Sequence, residues 1–391
     1  MSGQTRSFLS GTLETMKVLG IESSCDETAA AVVEDGSRLL SNVVASSMEL
    51  HAKYGGVVPE IAARSHIEAI TEVIDQALSA AMCTWKDVDA IAVTYGAGLG
   101  GSLLIGVLTA RTLAIIHQKP LYAINHVEGH VYANFLTSKN EANIATSDYK
   151  LPSTQPQFPL LALIVSGGHS QMVFFRDHFD YTLLGQTHDD AIGEAFDKVA
   201  KIVGLPYPGG PSVGRKAREG NATAIDLPKA KLTNISPELQ ALRTQVQSTA
   251  THSYDFSFSG LKTAVLRACQ QLIGEDHTFA SKNVPERLTE VQKANVAASF
   301  QRVAVETVVD KVLLAYQEFS PHSVVIAGGV AASPELRRQL ADRLPCPIDY
   351  TDPRLCTDNG AMIATLGCFH MKFGRPTADP YRLDIRPGLS M

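Results

Sequence analysis

Short apolar runs alternate with longer segments of mixed polarity along the chain. The first run, residues 17–24, leads into a polar turn, and the apolar pattern resumes at 29–33 and near 39–45. Runs of this length bounded by turn residues predict β-strands, the first two as a hairpin. A helix is predicted from about Pro59, a residue suited to the first helical turn, to Met82.

The following segment alternates strand and helix. An apolar run at 90–94 precedes a glycine-rich turn and a helical pattern over 102–117. A second short run, 121–124, ends at Asn125, whose side chain can cap a helix that begins at His126. Alternating strands and helices predict α/β layers.

The same order returns after a polar, proline-containing stretch at 137–158. Apolar runs at 160–165 and 171–175 flank a turn of small residues, and a later run at 323–327 precedes a glycine turn and a helix opened by Ser333. This weak internal repeat indicates a duplicated α/β fold, in which paired turns favour a nucleotide bound in the cleft between the halves.

The repeat also predicts the division of the chain into domains. The expected parts are a disordered extension (1–16), a first domain (17–136), a linker (137–158) and a second domain (159–391) with a helical insertion at about 193–318. A final helix at about 359–370 is expected to pack back on the first domain.

Composition excludes several classes of protein. The chain has 391 residues, of which 45% are apolar, and its net charge of −6 argues against a non-specific nucleic-acid binder. No uninterrupted apolar run approaches the roughly 18 residues of a membrane helix, so no membrane association is expected. None of the six cysteines lies in a C-x-x-C pair, which predicts a reducing, cytoplasmic location.

A histidine pair is the first candidate for chemistry. His126 and His130 are four residues apart, so on a helix both imidazoles project from one face and can bind one transition metal. An accidental pair is the alternative in a chain with 12 histidines. Asp358, in a polar cluster that opens a second helix, is a candidate third ligand. Glu128 does not follow His126 directly, as the H-E-x-x-H motif of zinc proteases would require.

Glycine turns are the second candidate. The letters of Gly96–Gly101 fit G-x-G-x-x-G, but the acidic residue expected about 20 positions later is missing, so a dinucleotide site is disfavoured. Backbone amides of 166–168 and 328–329 can cradle phosphate. Asp197 can bind ribose hydroxyls, or alternatively pair with Lys201 one helical turn away.

Two acids occupy the first hairpin turn. Asp26 and Glu27 would face the cleft of a two-domain fold, where a carboxylate can act as a general base or orient a substrate. Turn preference alone also explains an aspartate at this place.

Eight segments, taken in order along the chain, resemble those of a known protein family. They are GIESSCDETAAAVV (20–33), HAKYGGVVPEIAARSHI (51–67), HVEGH (126–130), LIVSGGHSQ (163–171), GEAFDKVAKIVGLPYPGGP (193–211), DFSFSGLKTAV (255–265), VIAGGVAASPELR (325–337) and CTDNGAMIA (356–364). Together they resemble the universal tRNA threonylcarbamoyladenosine synthase family, in its bacterial TsaD branch.

The resemblance implies a fold and a site. The fold would be the two-domain actin, Hsp70 and sugar-kinase architecture with its active site between the domains. It implies one divalent metal, Fe²⁺ first and Zn²⁺ as the alternative, and Asp26 and Glu27 as essential acids. The implied metal ligands are His126, His130 and Asp358, and the implied adenylate-binding residues are Ile164, Val165, Ser166, Gly167, Gly168, Asp197, Gly210 and Ser333.

The resemblance also implies substrates and partners. Threonylcarbamoyl-adenylate would donate its threonylcarbamoyl group to N6 of adenosine 37 in tRNAs that read codons starting with A, and AMP would be released. The implied protein partners are a paralogous dimerisation subunit of the TsaB type, for which the helix from Pro59 to Met82 is a candidate interface, and a small ATPase of the TsaE type. Two positions depart from the family: Ser333 stands where Asn is usual, and Asn125 where His is common.

Three other functions remain as alternatives. A small-molecule kinase of the same architecture would use magnesium, which prefers oxygen ligands over a histidine pair. A metallopeptidase, a label once attached to this family, would need the missing H-E-x-x-H motif. A non-enzymatic, nucleotide-switched scaffold would have no need of the candidate metal ligands.

Overall fold

The computed structural model of the chain describes residues 15–138 and 148–391. The expected extension therefore lies outside the described residues except for 15 and 16, as does the centre of the expected linker. The strands of the described residues are β1 (Lys17–Glu22), β2 (Glu27–Glu34), β3 (Arg38–Ser46), β4 (Ala90–Gly96), β5 (Leu121–Asn125), β6 (Leu160–Val165), β7 (Ser170–Asp177), β8 (Asp180–Gln186) and β9 (Ser323–Ala327).

The α-helices complete the element order. They are α1 (Met48–Ala52), α2 (Pro59–Ala80), α3 (Gly100–His117), α4 (His126–Tyr132), α5 (Ile192–Val203), α6 (Gly209–Ala217), α7 (Pro237–Gln245), α8 (Ser259–Leu272), α9 (Val284–Arg287), α10 (Glu290–Phe319), α11 (Pro334–Arg343), α12 (Pro353–Cys356) and α13 (Gly360–Lys372).

Two sheets share one topology. The first has the strand order β3-β2-β1-β4-β5 and the second β8-β7-β6-β9. In each, a three-stranded antiparallel meander is extended by a strand parallel to its first member, β4 beside β1 and β9 beside β6. The duplicated α/β fold of the actin, Hsp70 and sugar-kinase type is therefore confirmed. The sequence did not reveal β8, an edge strand whose first four residues are all at least partly exposed.

Helices α4 and α13 lie between the sheets. Both contribute to one buried cluster that includes residues of both sheets, such as Val18 of β1 and Ile164 of β6. Helix α13 crosses β1 and β2 closely because glycine stands at both contacts: a Cβ on Gly20 would collide with the backbone of Ala364. Helix α4, which carries the histidine pair, is buried along its whole length between the two halves.

Helix α3 is more apolar over its length than the sequence analysis expected of any segment. Among the described residues it is the one helix long and apolar enough by length and composition to cross a membrane, with 33% of that window buried. The expectation considered only uninterrupted apolar runs, and α3 is interrupted by Arg111 and by threonines. A single helix of this kind is weak evidence for a membrane span, since core helices pass the same test.

Candidate metal and nucleotide site

A large cavity of about 1550 Å³ opens between the two halves. Its lining includes several residue groups that the sequence singled out: Asp26, Glu27, His126, Ser166, Gly167, Gly168, Asp197, Gly210, Ser333 and Asp358. Residues separated by more than 300 positions in the sequence therefore surround one space. Ile164 and Val165 do not line it, because both side chains are fully buried in β6.

Three candidate metal ligands meet at the edge of this cavity. Asn125 caps α4 by accepting a hydrogen bond from the Val127 backbone amide, which places the first histidine in the first helical turn. The Asp358 carboxylate lies 3.6 Å from His126 Nε2 and 3.3 Å from His130 Nε2. Ligand atoms from the three residues all lie within 4.8 Å of one another.

The chemistry of these groups fits a bound metal. His130 is 1% exposed; within the described residues its Nδ1 has no hydrogen-bond partner, and its Nε2 lies 3.3 Å from Asp358 Oδ1 without hydrogen-bond geometry. A buried polar atom without a partner is costly, and coordination would remove that cost. Two imidazoles and one carboxylate are a ligand set of non-haem Fe(II) sites and resemble those of catalytic zinc sites. The site can therefore hold a transition metal.

Glu22, which sequence reasoning missed, supports the first of these histidines. This fully buried carboxylate lies with Oε2 3.2 Å from His126 Nδ1, so the far side of the ring is held while Nε2 faces Asp358. Oε1 accepts from the Ser24 backbone amide, and Oε2 accepts from the Thr94 hydroxyl. A lone acid at the end of an otherwise apolar strand was the available sequence signal.

The charges of this cluster reinforce one another. Burial acts to lower the pKa of His126, but the Asp358 and Glu22 carboxylates raise it to about 9. Burial opposes ionisation of Asp358 and Glu22, yet the neighbouring imidazoles hold the pKa of each carboxyl below its usual range. Two carboxylates therefore flank the His126 imidazole, and a bound cation would take the place of its added proton.

The turn that carries Asp26 is fixed by buried polar groups. The Cys25 carbonyl accepts hydrogen bonds from His66 Nε2 at 3.0 Å and Ser102 Oγ at 3.1 Å. The Asp26 carbonyl accepts from both the backbone amide and the hydroxyl of Ser47. These contacts use the backbone of the turn, and Asp26 lines the cavity.

The two acids of this turn differ electrostatically. Burial, followed by the charges of Asp358 and Asp26, raises the pKa of Glu27 to about 10. Glu27 is therefore protonated near neutral pH and can donate a hydrogen bond. Burial and the same carboxylates also raise the pKa of the Cys25 thiol, which makes it a poor nucleophile.

Glycine backbone forms the wall of the second half. A Cβ on Gly167, Gly168 or Gly210 would meet nothing within 4 Å, so this backbone faces the open cavity and leaves room for a ligand. The turn itself is tight: Gly193 donates its amide to the Ser166 carbonyl, and a Cβ on Gly193 would lie 2.5 Å from that oxygen.

Asp197 and Ser333 support neighbouring parts of this wall. Asp197 Oδ1 accepts from the Gly209 backbone amide at 2.6 Å, and no ion pair joins Asp197 to Lys201 within the described residues. Burial raises the Asp197 pKa. Ser333 caps α11 by accepting from the Leu336 amide, so its hydroxyl is already engaged in the helix.

Two further side chains line the cavity without having been predicted as site residues. His169 follows the glycine turn, and its ring lies 6.2 Å from that of His126; burial and the two neighbouring imidazoles lower its pKa to about 4. Tyr207 is half-buried between the two halves, and its pKa is raised by burial and then by Asp197 and Asp26. Both lie inside quoted family segments, which was the available signal.

Comparisons with known proteins show the family of this chain. The family model TsaD, described as tRNA N6-adenosine threonylcarbamoyltransferase, matches residues 38–365. The chain belongs to this family. A relative of that name from Thermomicrobium roseum is 46% identical over 356 residues, 89% of this chain and 90% of the relative. One from Geobacillus kaustophilus is 46% identical over 359 residues, 90% and 91% of the two chains. One from Dehalococcoides mccartyi is 43% identical over 376 residues, 96% and 99% of the two chains.

Proposed function

We propose that this protein transfers the threonylcarbamoyl group of threonylcarbamoyl-adenylate to N6 of adenosine 37 in tRNAs that read codons starting with A. The observation that carries the proposal is the cluster of His126, His130 and Asp358 beside a glycine-walled cavity, in a member of the TsaD family. The cavity is large enough for a nucleotide and an incoming base. The products are N6-threonylcarbamoyladenosine and AMP.

The transfer is a substitution at a carbonyl carbon. The exocyclic amine of the adenosine forms the new N–C bond, the C–O bond to the phosphate breaks, and AMP leaves with the bonding electrons. We assign Asp26 as the group that takes the amine proton, because this acidic residue lines the cavity. Glu27, protonated near neutral pH, instead donates a hydrogen bond to the Asp26 side chain and so positions that group.

His126, His130 and Asp358 would hold one divalent metal, with Fe²⁺ preferred and Zn²⁺ as the alternative. As a Lewis acid, the metal would polarise the threonylcarbamoyl carbonyl or bind its carboxylate. The protein's part is to fix the ligands, and Glu22 does so by holding His126 Nδ1. Two of the ligands line the cavity, whereas His130 lies behind them in the core.

The adenylate would occupy the second-half wall. Amides of the turn 166–168 would bind its phosphate, since this backbone faces open space. Asp197 and Gly210 would contact the ribose and adenine. Ser333 would contribute less than the usual Asn, because its hydroxyl accepts from the Leu336 amide. Ile164 and Val165 would act only by placing this turn at the end of β6.

A partner subunit would bind the outer face of α2 and α3. Large apolar side chains are exposed there, with Ile67 61%, Leu104 41%, Leu108 44% and Ile116 64% accessible. Such a face fits a helical partner, and we propose the paralogous TsaB-type subunit, with the TsaE-type ATPase joining the assembly. Leu108→Glu is expected to abolish co-elution with that subunit, whereas the outward-facing substitution Lys231→Glu on the second half should leave it intact.

The cysteines support a reducing compartment, and we propose the cytoplasm. All six are free thiols, three of them buried. Proteins in oxidising compartments commonly use disulfides for stability. The location also agrees with a tRNA substrate.

The decisive experiment combines the purified chain and its partner subunits with threonylcarbamoyl-adenylate and unmodified tRNA. Digestion and mass spectrometry of the nucleosides should show threonylcarbamoyladenosine with stoichiometric AMP release. A tRNA with guanosine at position 37 is the control and should yield neither product. Phosphorylation of a small molecule by ATP, with no modified adenosine, would overturn the proposal in favour of a kinase; cleavage of a peptide would favour a metallopeptidase.

A further inference from the structure

Residues 376–391 follow α13 and run beside β5 to the end of β4; we call this segment the strap. The strap begins beside β5, where the Ala378 amide donates to the Leu121 carbonyl. Its middle is fastened by the Arg111 guanidinium of α3, which donates to the carbonyls of Pro380, Tyr381 and Leu383. One side chain thus holds three carbonyls within residues 380–383, so the strap has a defined course.

The end of the strap reaches the turn at the cavity. The Arg386 amide donates to the Tyr95 carbonyl at 2.7 Å, and the Pro387 carbonyl accepts from the Gly98 amide at 3.1 Å. The strap passes so close that a Cβ on Gly96 would collide with the Arg386 carbonyl. Residues 97–99 of this turn line the cavity, so the strap supports the cavity wall from behind.

A first route leads from this turn to a metal ligand. The Leu99 amide donates to the Ser24 carbonyl at 2.7 Å. The Ser24 hydroxyl lies 3.1 Å from His126 Nδ1, the ring nitrogen that Glu22 also holds. Displacement of the turn would therefore shift one of the contacts that orient this ring.

A second route reaches the same ligand through the helix. Asn125 Nδ2 donates to the Ser390 carbonyl at 3.1 Å, while its Oδ1 accepts from the Val127 amide. Both atoms of this amide are used, one to cap α4 and the other to hold the strap. His126 lies between Asn125 and Val127, so the residue that contacts the strap is next to the first metal ligand.

We propose that residues 386–390 are a positioning brace for His126, and that they raise the metal affinity of the site without contacting the metal. The inference rests on the metal site of the proposed function but not on the transfer reaction. Groups that orient metal ligands typically change affinity by about 10–100-fold. Loss of the brace should fall in that range.

The test measures Co²⁺ binding by chelator competition and by the visible absorption of the bound ion. A protein that ends at Ile385 lacks the brace, and we expect its dissociation constant to rise about tenfold or more, with an altered cobalt spectrum. Ser390→Ala is the matched control, because the strap uses the backbone carbonyl at this position. Its affinity and spectrum should match those of the wild type.

Asn125→Asp gives a second, conservative variant in case the shortened protein does not fold. It keeps the acceptor that caps α4 but cannot donate to the Ser390 carbonyl. Its added negative charge favours a cation, so a weaker Co²⁺ affinity with unchanged thermal stability of the metal-free protein would support the brace. A wild-type cobalt spectrum in Asn125→Asp, or wild-type affinity and spectrum in a folded shortened protein, would overturn it. Absence of Co²⁺ binding by the wild type would instead refute the metal site.

Discussion

Replacement of Glu22 by glutamine should damage the metal site while leaving the shape of the side chain unchanged. Glu22 uses both carboxylate oxygens as acceptors: Oε1 takes the Ser24 amide, and Oε2 takes the Thr94 hydroxyl beside His126 Nδ1. Glutamine has one acceptor oxygen and one NH₂ group. One of the two positions must therefore face a donor.

Each orientation of the new amide has a defined cost. If the oxygen faces Ser24, the NH₂ donates to His126 Nδ1 and moves the imidazole proton to Nε2, the nitrogen that faces Asp358. That tautomer cannot bind a metal through Nε2. If the oxygen faces His126, two buried donors meet at Ser24, at a cost of about 1–3 kcal/mol. Metal affinity is therefore expected to fall by about 10–100-fold, or about 1.4–2.7 kcal/mol.

The assay is chelator-competed metal binding by wild type and Glu22→Gln, with thermal unfolding of both metal-free proteins as the reference. Thr94→Val is a useful companion, because it removes one donor to the same carboxylate and leaves Glu22 to hold His126. We expect a smaller effect from it. Metal affinity of Glu22→Gln within twofold of wild type would refute the reasoning.

Three further predictions address the rest of the site. Asp26→Asn should lower turnover by about 10²–10⁴-fold, and Glu27→Gln by less than about tenfold, measured as modified nucleoside formed per minute; the reverse order would exchange their roles. Iodoacetamide near neutral pH should leave Cys25 unmodified in peptide mass mapping, because its pKa is raised; rapid alkylation would contradict this. Gly209→Ala should destabilise the protein by about 1–3 kcal/mol, because its Cβ would collide with α5, whereas Gly210→Ala should keep full thermal stability and weaken AMP binding; equal stability of both variants would contradict the packing.

Local sequence patterns predicted most of the fold because the two sheets are built from short, strongly apolar strands between clear turns. The repeat of strand, turn, strand in both halves appears in the structure as one shared sheet topology. Edge strand β8 was missed since its exposed residues lack the apolar run that marks a buried strand. The apolar character of helix α3 was also missed. Its mean hydropathy is high, but polar residues interrupt it, so it contains no long uninterrupted apolar run.

The site was harder to predict from sequence, since its members are distant along the chain. Spacing alone suggested His126 with His130, but only the structure brings Asp358 within 3.3 Å of the second histidine. Any residue type can supply a backbone carbonyl, so such contacts produce no recognisable sequence pattern. The contact between the strap and Asn125 could therefore not be predicted from the sequence. The same holds for Glu22, whose role depends on a ring contributed by another strand–helix junction.

The most direct test of the account is metal-dependent formation of threonylcarbamoyladenosine. Wild type and His130→Ala would be stripped of metal, reconstituted with Fe²⁺ under anaerobic conditions, and assayed with partner subunits, threonylcarbamoyl-adenylate and unmodified tRNA. We predict that the stripped wild type is inactive and recovers with about one metal per chain, while His130→Ala does not recover. Full product formation by the stripped enzyme, or by His130→Ala, would contradict the claim that this cluster is the centre of the reaction.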